Sequence, residues 1–525
     1  MPKVLISDKL SPAAAEIFKN RGIDVDVKTG LSKEELIEII GDYDGLAVRS
    51  ATKATPPVLA AAKNLKVIGR AGIGVDNIDI KEATAKGICV MNTPFGNSIT
   101  TAEHAIAMMF AVARQIPEAN ASTHEGKWEK SRFMGVELTS KTLGVIGCGN
   151  IGSIVASRAL GLKMKVVAFD PFLTPERAEE LRVEKVELDE LLARADFITL
   201  HTPLTDKTRD ILNAENLAKT KEGVRIINCA RGGLIVEEAL KAALDAGHVA
   251  GAALDVFAEE PAKENILFGH PNVVVTPHLG ASTTEAQENV ALQVAEQMAD
   301  FLIDGSVQNA LNMPSISPEE APVLRPYVKL AEQLGLFAGQ LIESAVKEVR
   351  IEYEGECAGF NTQALESAAI AGLLSPTVTE ANMVNARSVA ENRGIQITET
   401  KRPQGGVYES YMRVFVTTEN QTRSVAGTVF SDGNPRIIQV KGINMDAELT
   451  GNMLYITNED KPGFIGSLGT VLGDAGVNIA SFNLGRAEEG GDAIALISVD
   501  GPVAEDVLEK VRALPMVGQA KALAF

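Results

Sequence analysis

The sequence predicts an α/β protein with several domains, and three observations support this fold class. Short apolar runs alternate with helical patterns from Val4 to Ile303, which is typical of parallel sheets covered by helices on both faces. A glycine-rich motif in the middle of this stretch joins a predicted strand to a predicted helix. Beyond residue 452 the order of elements is β-α-β-β-α-β, which is the ferredoxin-like arrangement.

Length, composition and charge define the broad class. At 525 residues the chain exceeds the size of one hydrophobic core, and 45% hydrophobic residues are ample for several cores. It carries 50 Lys and Arg residues against 69 acidic residues, a formal charge of −19. This balance argues against nucleic acid or an anionic membrane surface as the main partner. No run of about 18 apolar residues occurs, so we expect no transmembrane helix, and the N-terminus does not resemble a signal peptide.

The cysteines predict neither a disulfide framework nor a metal site. Cys89, Cys148, Cys229 and Cys357 are far apart in sequence, and no CxxC pair indicates zinc. We interpret them as reduced thiols of a cytoplasmic protein.

The first hundred residues predict an α/β unit that precedes the glycine motif. Its apolar runs, interpreted as strands, are Val4–Ser7, Leu46–Arg49, Val67–Gly69 and Ile88–Met91. Helical segments lie between them, beginning with Pro12–Asn20. A long and largely apolar helix, Ile99–Gln115, then leads into a second unit.

The glycine motif Gly147-Cys148-Gly149-Asn150-Ile151-Gly152 lies between two apolar runs. Gly147 permits the tight turn after the strand, Gly149 lets the backbone approach a pyrophosphate, and Gly152 lets the helix pack on the strand. The N-terminus of the helix presents unpaired N–H groups to the phosphates. The motif therefore predicts a dinucleotide site; the alternative is a glycine-rich turn in an ordinary α/β domain.

Asp170 ends the second apolar run, where a carboxylate accepts hydrogen bonds from the adenosine ribose. A carboxylate repels a 2′-phosphate, and Pro171 and Phe172 follow it rather than an arginine. This favours NAD over NADP. Arg177 is close in sequence, which keeps NADP open as the alternative.

The strands that follow place polar residues at their carboxyl ends, which is the edge of an open α/β sheet where ligands bind. These strand ends are His201–Pro203, Cys229–Gly233, Asp255–Phe257 and Pro277–His278. A long helix, Thr284–Ile303, then returns the chain to the first unit, which would make that unit discontinuous. The proline- and serine-rich segment Pro314–Pro318 is typical of a linker.

Three residues at this edge have the chemistry that oxidation of a hydroxy acid needs. Arg231 suits the substrate carboxylate, because its planar fork makes two parallel hydrogen bonds. His278 suits the base that takes the hydroxyl proton. Glu260 would orient the His278 ring and favour its protonated form. The alternatives are a structural histidine, an ordinary loop at Glu260 and a surface arginine.

Four stretches carry a resemblance to the D-isomer-specific 2-hydroxyacid dehydrogenases. They are Val145–Gly152, Asn228–Gly233, Ala253–Pro261 and Thr276–Thr283. With the C-terminal modules, the whole chain is similar to a long form of this family. The resemblance implies a Rossmann-type NAD-binding domain of residues 99–283 inserted in a flavodoxin-like substrate domain of residues 1–98 and 284–314. It further implies an α/β intervening domain of residues 318–450 and a ferredoxin-like ACT regulatory domain of residues 452–525.

The resemblance also implies the site residues. Arg231, Glu260 and His278 would form the catalytic set. Contacts to NAD would come from Gly147, Gly149, Asn150, Ile151, Gly152, Asp170, Thr202, Cys229, Ala230, Arg231, Asp255, His278, Leu279, Gly280 and Ala281. Contacts to the substrate would come from Arg49, Arg70, Gly72 and Asn97, with Lys130 and Arg132 reaching over from a neighbouring subunit unless they are only solvated charges.

The implied reaction is the NAD-dependent oxidation of 3-phospho-D-glycerate to 3-phosphohydroxypyruvate, the first step of the phosphorylated route to L-serine. The same chemistry on glycerate, glyoxylate or 2-hydroxyglutarate is the nearest alternative. A cofactor-sensing corepressor or scaffold is the alternative from another class. The family further implies a homo-oligomer, with a dimer through the central unit that ACT pairing doubles to a tetramer.

In the predicted ACT domain, Asn458, Asp460 and Asn478 lie where relatives bind serine between paired domains. Asp460 would accept from the ammonium of L-serine, and the two asparagines would donate to its carboxylate. The alternative is that these residues are helix caps and turn residues. Some relatives have histidine where this chain has Asn458.

Overall fold

The computed structural model describes residues 1–317, 319–404 and 408–525, and the strands in these ranges form four sheets. The last residue of the predicted linker, residue 318, lies outside the described ranges. Within them, no helix combines the length and apolar character needed to cross a membrane.

The first sheet is parallel, with the strand order β2-β1-β3-β4-β5 that is typical of flavodoxin-like folds. Its strands are β1 (Lys3–Ile6), β2 (Asp24–Val27), β3 (Gly45–Val48), β4 (Val67–Arg70) and β5 (Cys89–Asn92). The helices of this region are α1 (Pro12–Asn20), α2 (Lys33–Ile39), α3 (Pro56–Ala61), α4 (Ile80–Ala85) and α5 (Ser98–Arg114). All residues of β3 and β5 are buried, as expected for parallel strands covered on both faces. Sequence analysis missed β2, because an edge strand that alternates Asp and Val lacks an apolar run.

The second sheet contains seven parallel strands in the order β12-β11-β10-β9-β6-β7-β8. The strands are β6 (Thr142–Ile146), β7 (Lys165–Phe169), β8 (Glu184–Lys185), β9 (Phe197–Leu200), β10 (Val224–Asn228), β11 (Val249–Leu254) and β12 (Val273–Val275). The helices are α6 (Ile116–His124), α7 (Asn150–Gly161), α8 (Pro175–Leu181), α9 (Leu188–Arg194), α10 (Ala214–Ala218) and α11 (Glu237–Asp245). The order reverses between β6 and β9, which is the Rossmann-type switch point where such sheets bind ligands. The predicted Rossmann-type fold is confirmed.

Two long helices connect the first two sheets. Helix α5 buries Ala105, Met109 and Val112 in the core of the second sheet. Helix α12 (Thr284–Asp304) returns to the first sheet, where Met298 joins the same core as Phe18. A Cβ added to Gly69 on β4 would collide with Met298, so this glycine lets α12 lie directly on the sheet.

The third unit is also α/β, as predicted. Its helices are α13 (Ala321–Gln340), α14 (Thr362–Leu374) and α15 (Ala386–Asn392). Its six-stranded sheet has the order β14-β13-β15-β16-β17-β18, where β13 and β14 are parallel and the other neighbours antiparallel. These strands are β13 (Val346–Gly355), β14 (Gln396–Arg402), β15 (Ser410–Thr418), β16 (Thr422–Val429), β17 (Pro435–Val440) and β18 (Ile443–Glu448). Gly335 of α13 and Gly372 of α14 let these two helices approach closely, because an added Cβ at either would meet the other helix's backbone.

The C-terminal unit has the predicted ferredoxin-like arrangement, with an antiparallel sheet of order β20-β21-β19-β22. Its elements are β19 (Asn452–Glu459), α16 (Phe464–Asp474), β20 (Ile479–Arg486), β21 (Asp492–Val499), α17 (Glu505–Arg512) and β22 (Val517–Ala524). Leu454 and Ile456 pack under the two helices. The other sheet face lies on the third unit, where the Tyr455 and Phe337 rings meet edge to face at 5.9 Å.

Candidate active site

The three motif glycines differ in what the folded chain requires of them. Gly147 has φ +91°, and an added Cβ would meet the backbone of His201 and the side chain of Thr202. A Cβ on Gly152 would collide with the carbonyl of Gly147. A Cβ on Gly149 would meet nothing within 4 Å. Packing within the chain therefore explains the first and third glycines, whereas the second leaves a space that a bound pyrophosphate would need.

Asp170 organises the loop that carries these glycines. Its carboxylate accepts hydrogen bonds from the backbone N–H groups of Cys148 and Phe172, each at 2.8 Å. Arg177, which kept NADP open as an alternative, donates to Glu180 on its own helix at 2.6 Å. Its guanidinium is thus paired with an acid rather than left free for a 2′-phosphate.

Two buried polar atoms beside the glycine loop support binding of a dinucleotide. The Nδ1 of His201 and the Oγ1 of Thr202 have no hydrogen-bond partner in the part of the chain that the structure describes. Buried polar groups are rarely left unpaired, because desolvation without a partner costs about 1–3 kcal/mol. Together with the space at Gly149 and the carboxylate of Asp170, these atoms fit NAD.

His278 and Glu260 are in direct contact, as the catalytic hypothesis requires. The Nδ1 of His278 lies 2.6 Å from a carboxylate oxygen of Glu260, whose other oxygen accepts from the backbone N–H of Phe257 at 3.0 Å. Burial opposes ionisation of Glu260, but the hydrogen bonds from His278 and Phe257 outweigh it and hold the pKa of this carboxyl below its ordinary value. The Nε2 of His278 has no partner among the described residues, so it is free to face a substrate.

Asp255 is buried directly beneath the His278 loop. One oxygen accepts from the Thr276 hydroxyl at 2.5 Å and from the Leu279 N–H at 2.7 Å, and the other accepts from the Gly280 N–H at 2.8 Å. Burial would raise the pKa of Asp255, but hydrogen bonds from His104, Thr276 and Leu279 lower it overall. The carboxylate is therefore ionised and supports the loop.

The cation selected for the substrate carboxylate, Arg231, is positioned by its neighbours. Its Nε donates to Asp76 at 3.0 Å and its Nη1 donates to the carbonyl of Ala230 at 2.7 Å. A Cβ on Gly74 would occupy the place of its second terminal nitrogen. Gly72 makes room for the guanidinium of Arg70 in the same way and has φ +139°. Gly72 and Gly74 thus allow the guanidinium groups of Arg70 and Arg231 to lie on the same wall of the candidate active site.

These cations line a cleft of about 780 Å³ between the first two units, together with His278 and Glu260. Arg49, Lys53, Arg70 and Arg231 face only two carboxylates, Asp76 and Glu260, in this lining. Burial and, secondarily, the charge of Arg231 lower the pKa of Arg70 to about 10, so it remains protonated at neutral pH. The excess of cations indicates a multiply charged anionic substrate.

The other predicted substrate residues lie in different settings. Asn97 is buried at the start of α5, and its Oδ1 has no hydrogen-bond partner among the described residues. Lys130 and Arg132 are exposed and do not line the cleft of this chain. Arg132 pairs with Glu129 at 2.9 Å.

Three residues of the site, Lys53, Asp76 and His104, have no signal in the sequence that marks them. Lys53 and Asp76 follow β3 and β4 by several residues, without a motif to mark them. His104 lies on α5, whose apolar pattern indicated only a core helix; its Nε2 is 3.2 Å from Asp255. His104, Cys229 and Asp255 also place potential metal-ligand atoms within 4.8 Å of one another, but the hydrogen bonds of Asp255 already occupy both its oxygens.

The side chains of the predicted effector residues point to separate partners within this chain, and the partner of Asn458 is the Glu459 carbonyl, to which its Nδ2 donates at 2.9 Å. Asp460 accepts from Arg486 at 2.8 Å and from the Gly490 N–H at 3.1 Å, while Asn478 donates to Asp500 at 2.7 Å. Asn458 is buried and its Oδ1 has no partner among the described residues. Gly463, rather than any of these three, is the N-cap of α16.

The fold and the cleft define an NAD-dependent dehydrogenase of small hydroxy acids, and comparison with known proteins agrees. Residues 106–280 match the family model described as D-isomer specific 2-hydroxyacid dehydrogenase, NAD binding domain. Residues 323–441 match the D-3-phosphoglycerate dehydrogenase intervening domain, and residues 452–515 match the ACT domain.

Full-length relatives narrow this class further. A D-3-phosphoglycerate dehydrogenase of Synechocystis sp. is 47% identical over 97% of this chain and 92% of its own length. The protein of the same name from Archaeoglobus fulgidus is 44% identical over 98% of each chain. The chain belongs to the D-3-phosphoglycerate dehydrogenase family. Among solved structures, a glyoxylate reductase from Paecilomyes thermophila superposes with a TM-score of 0.56 at 31% identity, over 59% of this chain and 98% of its own.

Proposed function

We propose that this chain oxidises 3-phospho-D-glycerate to 3-phosphohydroxypyruvate with NAD, the first step of the phosphorylated route to L-serine. The observation that carries this proposal is the cleft, which combines four cations with the His278–Glu260 pair. A substrate with a carboxylate and a phosphate needs this excess of positive charge, whereas glycerate or glyoxylate would leave part of it unmatched. The names of the full-length relatives agree with this assignment.

In the proposed mechanism, Arg231 binds the substrate carboxylate, because Asp76 and the Ala230 carbonyl hold its guanidinium in one orientation. The Nε2 of His278 accepts the proton of the substrate hydroxyl. Glu260 accepts the Nδ1–H of the ring and stabilises the imidazolium that results. NAD, when bound, would accept the hydride that leaves the substrate carbon bearing this hydroxyl.

Arg49, Lys53 and Arg70 form the phosphate end of the proposed site. All three line the cleft, and Arg70 has a buried Nε without a partner among the described residues. Gly72 makes room for Arg70. Asn97, near the start of α5, is a further proposed substrate contact, and its unpaired amide oxygen would accept from a substrate hydroxyl rather than from the phosphate. These residues come from the first unit, so the substrate would bridge the two units.

The proposed NAD site keeps the residues that the family resemblance implied. Asn150 and Ile151 begin α7 above the space at Gly149, and Asp170 receives the ribose. Thr202 contributes its unpaired hydroxyl, and the segments 229–231 and 278–281 enclose the nicotinamide end. Asp255, whose fully buried carboxylate already accepts from Thr276, Leu279 and Gly280, would serve the nicotinamide end by supporting the segment 278–281 rather than by contacting the amide directly. The proposed domain boundaries are likewise those of the family.

We also propose that the protein is a homo-oligomer of the central unit. Exposed large apolar side chains support this, and they lie within residues 95–134, which include α5, α6 and the arm after α6 (residues 125–134). They are Phe95, Ile99, Phe110, Ile116, Trp128 and Met134. Lys130 and Arg132 lie on the same arm, so a partner's arm could add them to the phosphate end. Pairing of ACT domains would double such a dimer to a tetramer.

L-Serine is the proposed effector of the ACT domain. The unpaired buried oxygen of Asn458 supports a polar ligand there, while Asp460 and Asn478 would exchange their present partners for the amino acid. Since these residues do not converge in one chain, the proposed site forms between paired domains. Four buried free thiols are consistent with a reducing compartment, and we propose the cytoplasm.

The substrate assignment is tested by following NADH absorbance with 3-phospho-D-glycerate, D-glycerate and D-2-hydroxyglutarate at alkaline pH. We expect the highest kcat/KM with the phosphorylated acid. Lys53→Gln should raise KM for it by about tenfold, because a charge-assisted hydrogen bond is lost, and should leave D-glycerate kinetics unchanged. Lys63→Gln, which alters an exposed lysine outside the cleft, is the matched control.

If an unphosphorylated acid is turned over faster than 3-phospho-D-glycerate, that acid is the better substrate and the proposed assignment is wrong. Tight NAD binding without turnover of any acid would favour the sensor or scaffold function instead.

A further inference from the structure

The loop that carries His278 is held from below by the carboxylate of Asp255. The loop backbone adds one more bond, since the N–H of His278 donates to the Asp255 carbonyl at 2.9 Å. His278 has φ +56°, a left-handed conformation that non-glycine residues rarely adopt. Such a conformation persists where the surroundings fix it, and here the side chain and the carbonyl of Asp255 both do so.

Helix α5 contacts this support with two residues one turn apart. The Nε2 of His104 lies 3.2 Å from an oxygen of Asp255 and 3.3 Å from the hydroxyl of Thr276. The Thr276 hydroxyl donates its hydrogen to Asp255, so the oxygen of Thr276 can accept a hydrogen bond from His104. The Thr101 hydroxyl lies 2.9 Å from the carbonyl oxygen of Gly280 and 3.0 Å from that of Asn97, so its single hydrogen is shared between the loop and the helix. Residues three apart on a helix share one face, so both side chains point at the loop.

We propose that His104 is a positioning residue for the dehydrogenase reaction, acting through Asp255 on the loop that carries His278. This inference rests on the proposed function. The N–H at Nε2 of His104 fixes the orientation of the buried Asp255 carboxylate, which in turn holds the backbone of Leu279 and Gly280.

The expected consequence is a change in turnover rather than in substrate binding. Arg231 and the phosphate-end cations lie on other segments, so loss of His104 should leave them in place. The imidazole of His278, however, would lose its fixed position relative to the substrate hydroxyl, and misplacement of reacting groups by about 1 Å costs up to about 100-fold in rate.

Three variants separate this role from a merely structural one. His104→Leu removes the donor, whereas His104→Gln keeps an N–H close to the position of Nε2. His124→Gln, an exposed histidine on α6, is the control. The readouts are kcat and KM for 3-phospho-D-glycerate, and hydrogen exchange of the peptide 276–283 measured without cofactor.

We expect His104→Leu to lower kcat by about tenfold with KM within about twofold, and to speed exchange at Leu279 and Gly280. His104→Gln should restore most of both. Unchanged exchange and kcat in His104→Leu, or a Gln variant as impaired as the Leu variant, would overturn the proposal.

If His104→Leu does not fold, Thr101→Val provides the second test, because it removes the other hydrogen bond from α5 to the loop without changing side-chain volume. It should speed exchange of the same peptide, and unchanged exchange there would contradict support from α5. Hydrogen exchange can be measured whether or not the protein turns over substrate. An inactive wild-type protein would therefore count against the proposed function, while the exchange rates of the variants would still test the positioning role of His104.

Discussion

The candidate active site and the ACT domain differ in how many of their polar groups are paired within the chain. In the cleft, four cations face two carboxylates, and Arg70 buries a polar atom that has no partner among the described residues. Beside the glycine loop, His201 and Thr202 each bury such an atom as well. In the ACT domain, Asp460 is paired with Arg486 and Asn478 with Asp500. Unpaired buried groups destabilise the protein alone and are compensated when a ligand binds.

This difference indicates which site is complete within one chain. The cleft has charge, space and hydrogen-bonding groups for a ligand within one chain, and Lys130 and Arg132 of a partner would only add to the proposed phosphate end. Asp460 and Asn478 would have to break existing bonds, and of the three predicted effector residues only Asn458 has a buried oxygen without a partner among the described residues. A ligand there would depend on rearrangement or on a partner domain, and the predictions below test this contrast.

The largest effect is expected at the proposed catalytic base, His278. His278→Ala should lower kcat by about 100-fold or more, which is typical of the loss of a general base, while NAD affinity stays near normal. Stopped-flow or steady-state NADH absorbance measures the first, and calorimetry measures the second. His124→Ala is the control, and near-normal turnover in His278→Ala would mean that another residue is the base.

The space at Gly149 supplies the next prediction. Gly149→Ala should leave the melting temperature nearly unchanged, because the new methyl group meets nothing in the protein. It should weaken NAD binding by about tenfold or more, since a clash of this kind costs roughly 1–3 kcal/mol. Gly152→Ala is the contrasting variant, because its methyl group would strike the carbonyl of Gly147 and destabilise the fold itself. Equal NAD affinity in Gly149→Ala and wild type would place the pyrophosphate elsewhere.

A smaller change is expected at Asp170. Asp170→Ala should weaken NAD binding by about tenfold and narrow the gap with NADP, because it removes both the ribose acceptor and the repulsion of a 2′-phosphate. Since Asp170 also accepts from Cys148 and Phe172, Asp170→Asn is measured beside it to separate charge from loop order. Unchanged affinities for both cofactors would show that this carboxylate does not face the ribose.

The difference between the cleft and the ACT domain also explains which features could be predicted from the sequence. Gly147, Asp170 and His278 were identified because strand ends of a parallel sheet meet at one edge, so local patterns indicate a shared site. Lys53 and Asp76 enter the cleft through loops whose path depends on tertiary packing. His104 lies in an apolar helix and is identifiable only from its contact with Asp255. For Asp460, the sequence indicated an available carboxylate. Its pairing with Arg486 on β20 is visible only in the folded structure.

The smallest and most discriminating effect concerns the ACT domain. L-Serine should bind the full-length protein and slow turnover. Asp460→Ala should abolish this inhibition while uninhibited kcat stays within about twofold of wild type, since Asp460 belongs to a different domain from the cleft. The physical reason is that Asp460 would exchange its bond with Arg486 for the ammonium of serine. Arg486→Gln is the matched variant: it frees Asp460, so serine should bind more tightly and inhibit at lower concentration. If serine neither binds the full enzyme nor changes its rate while 3-phospho-D-glycerate is oxidised normally, the ACT domain serves assembly alone. The pairs Asp460–Arg486 and Asn478–Asp500 are then the resting structure of that assembly unit rather than an effector site awaiting its ligand.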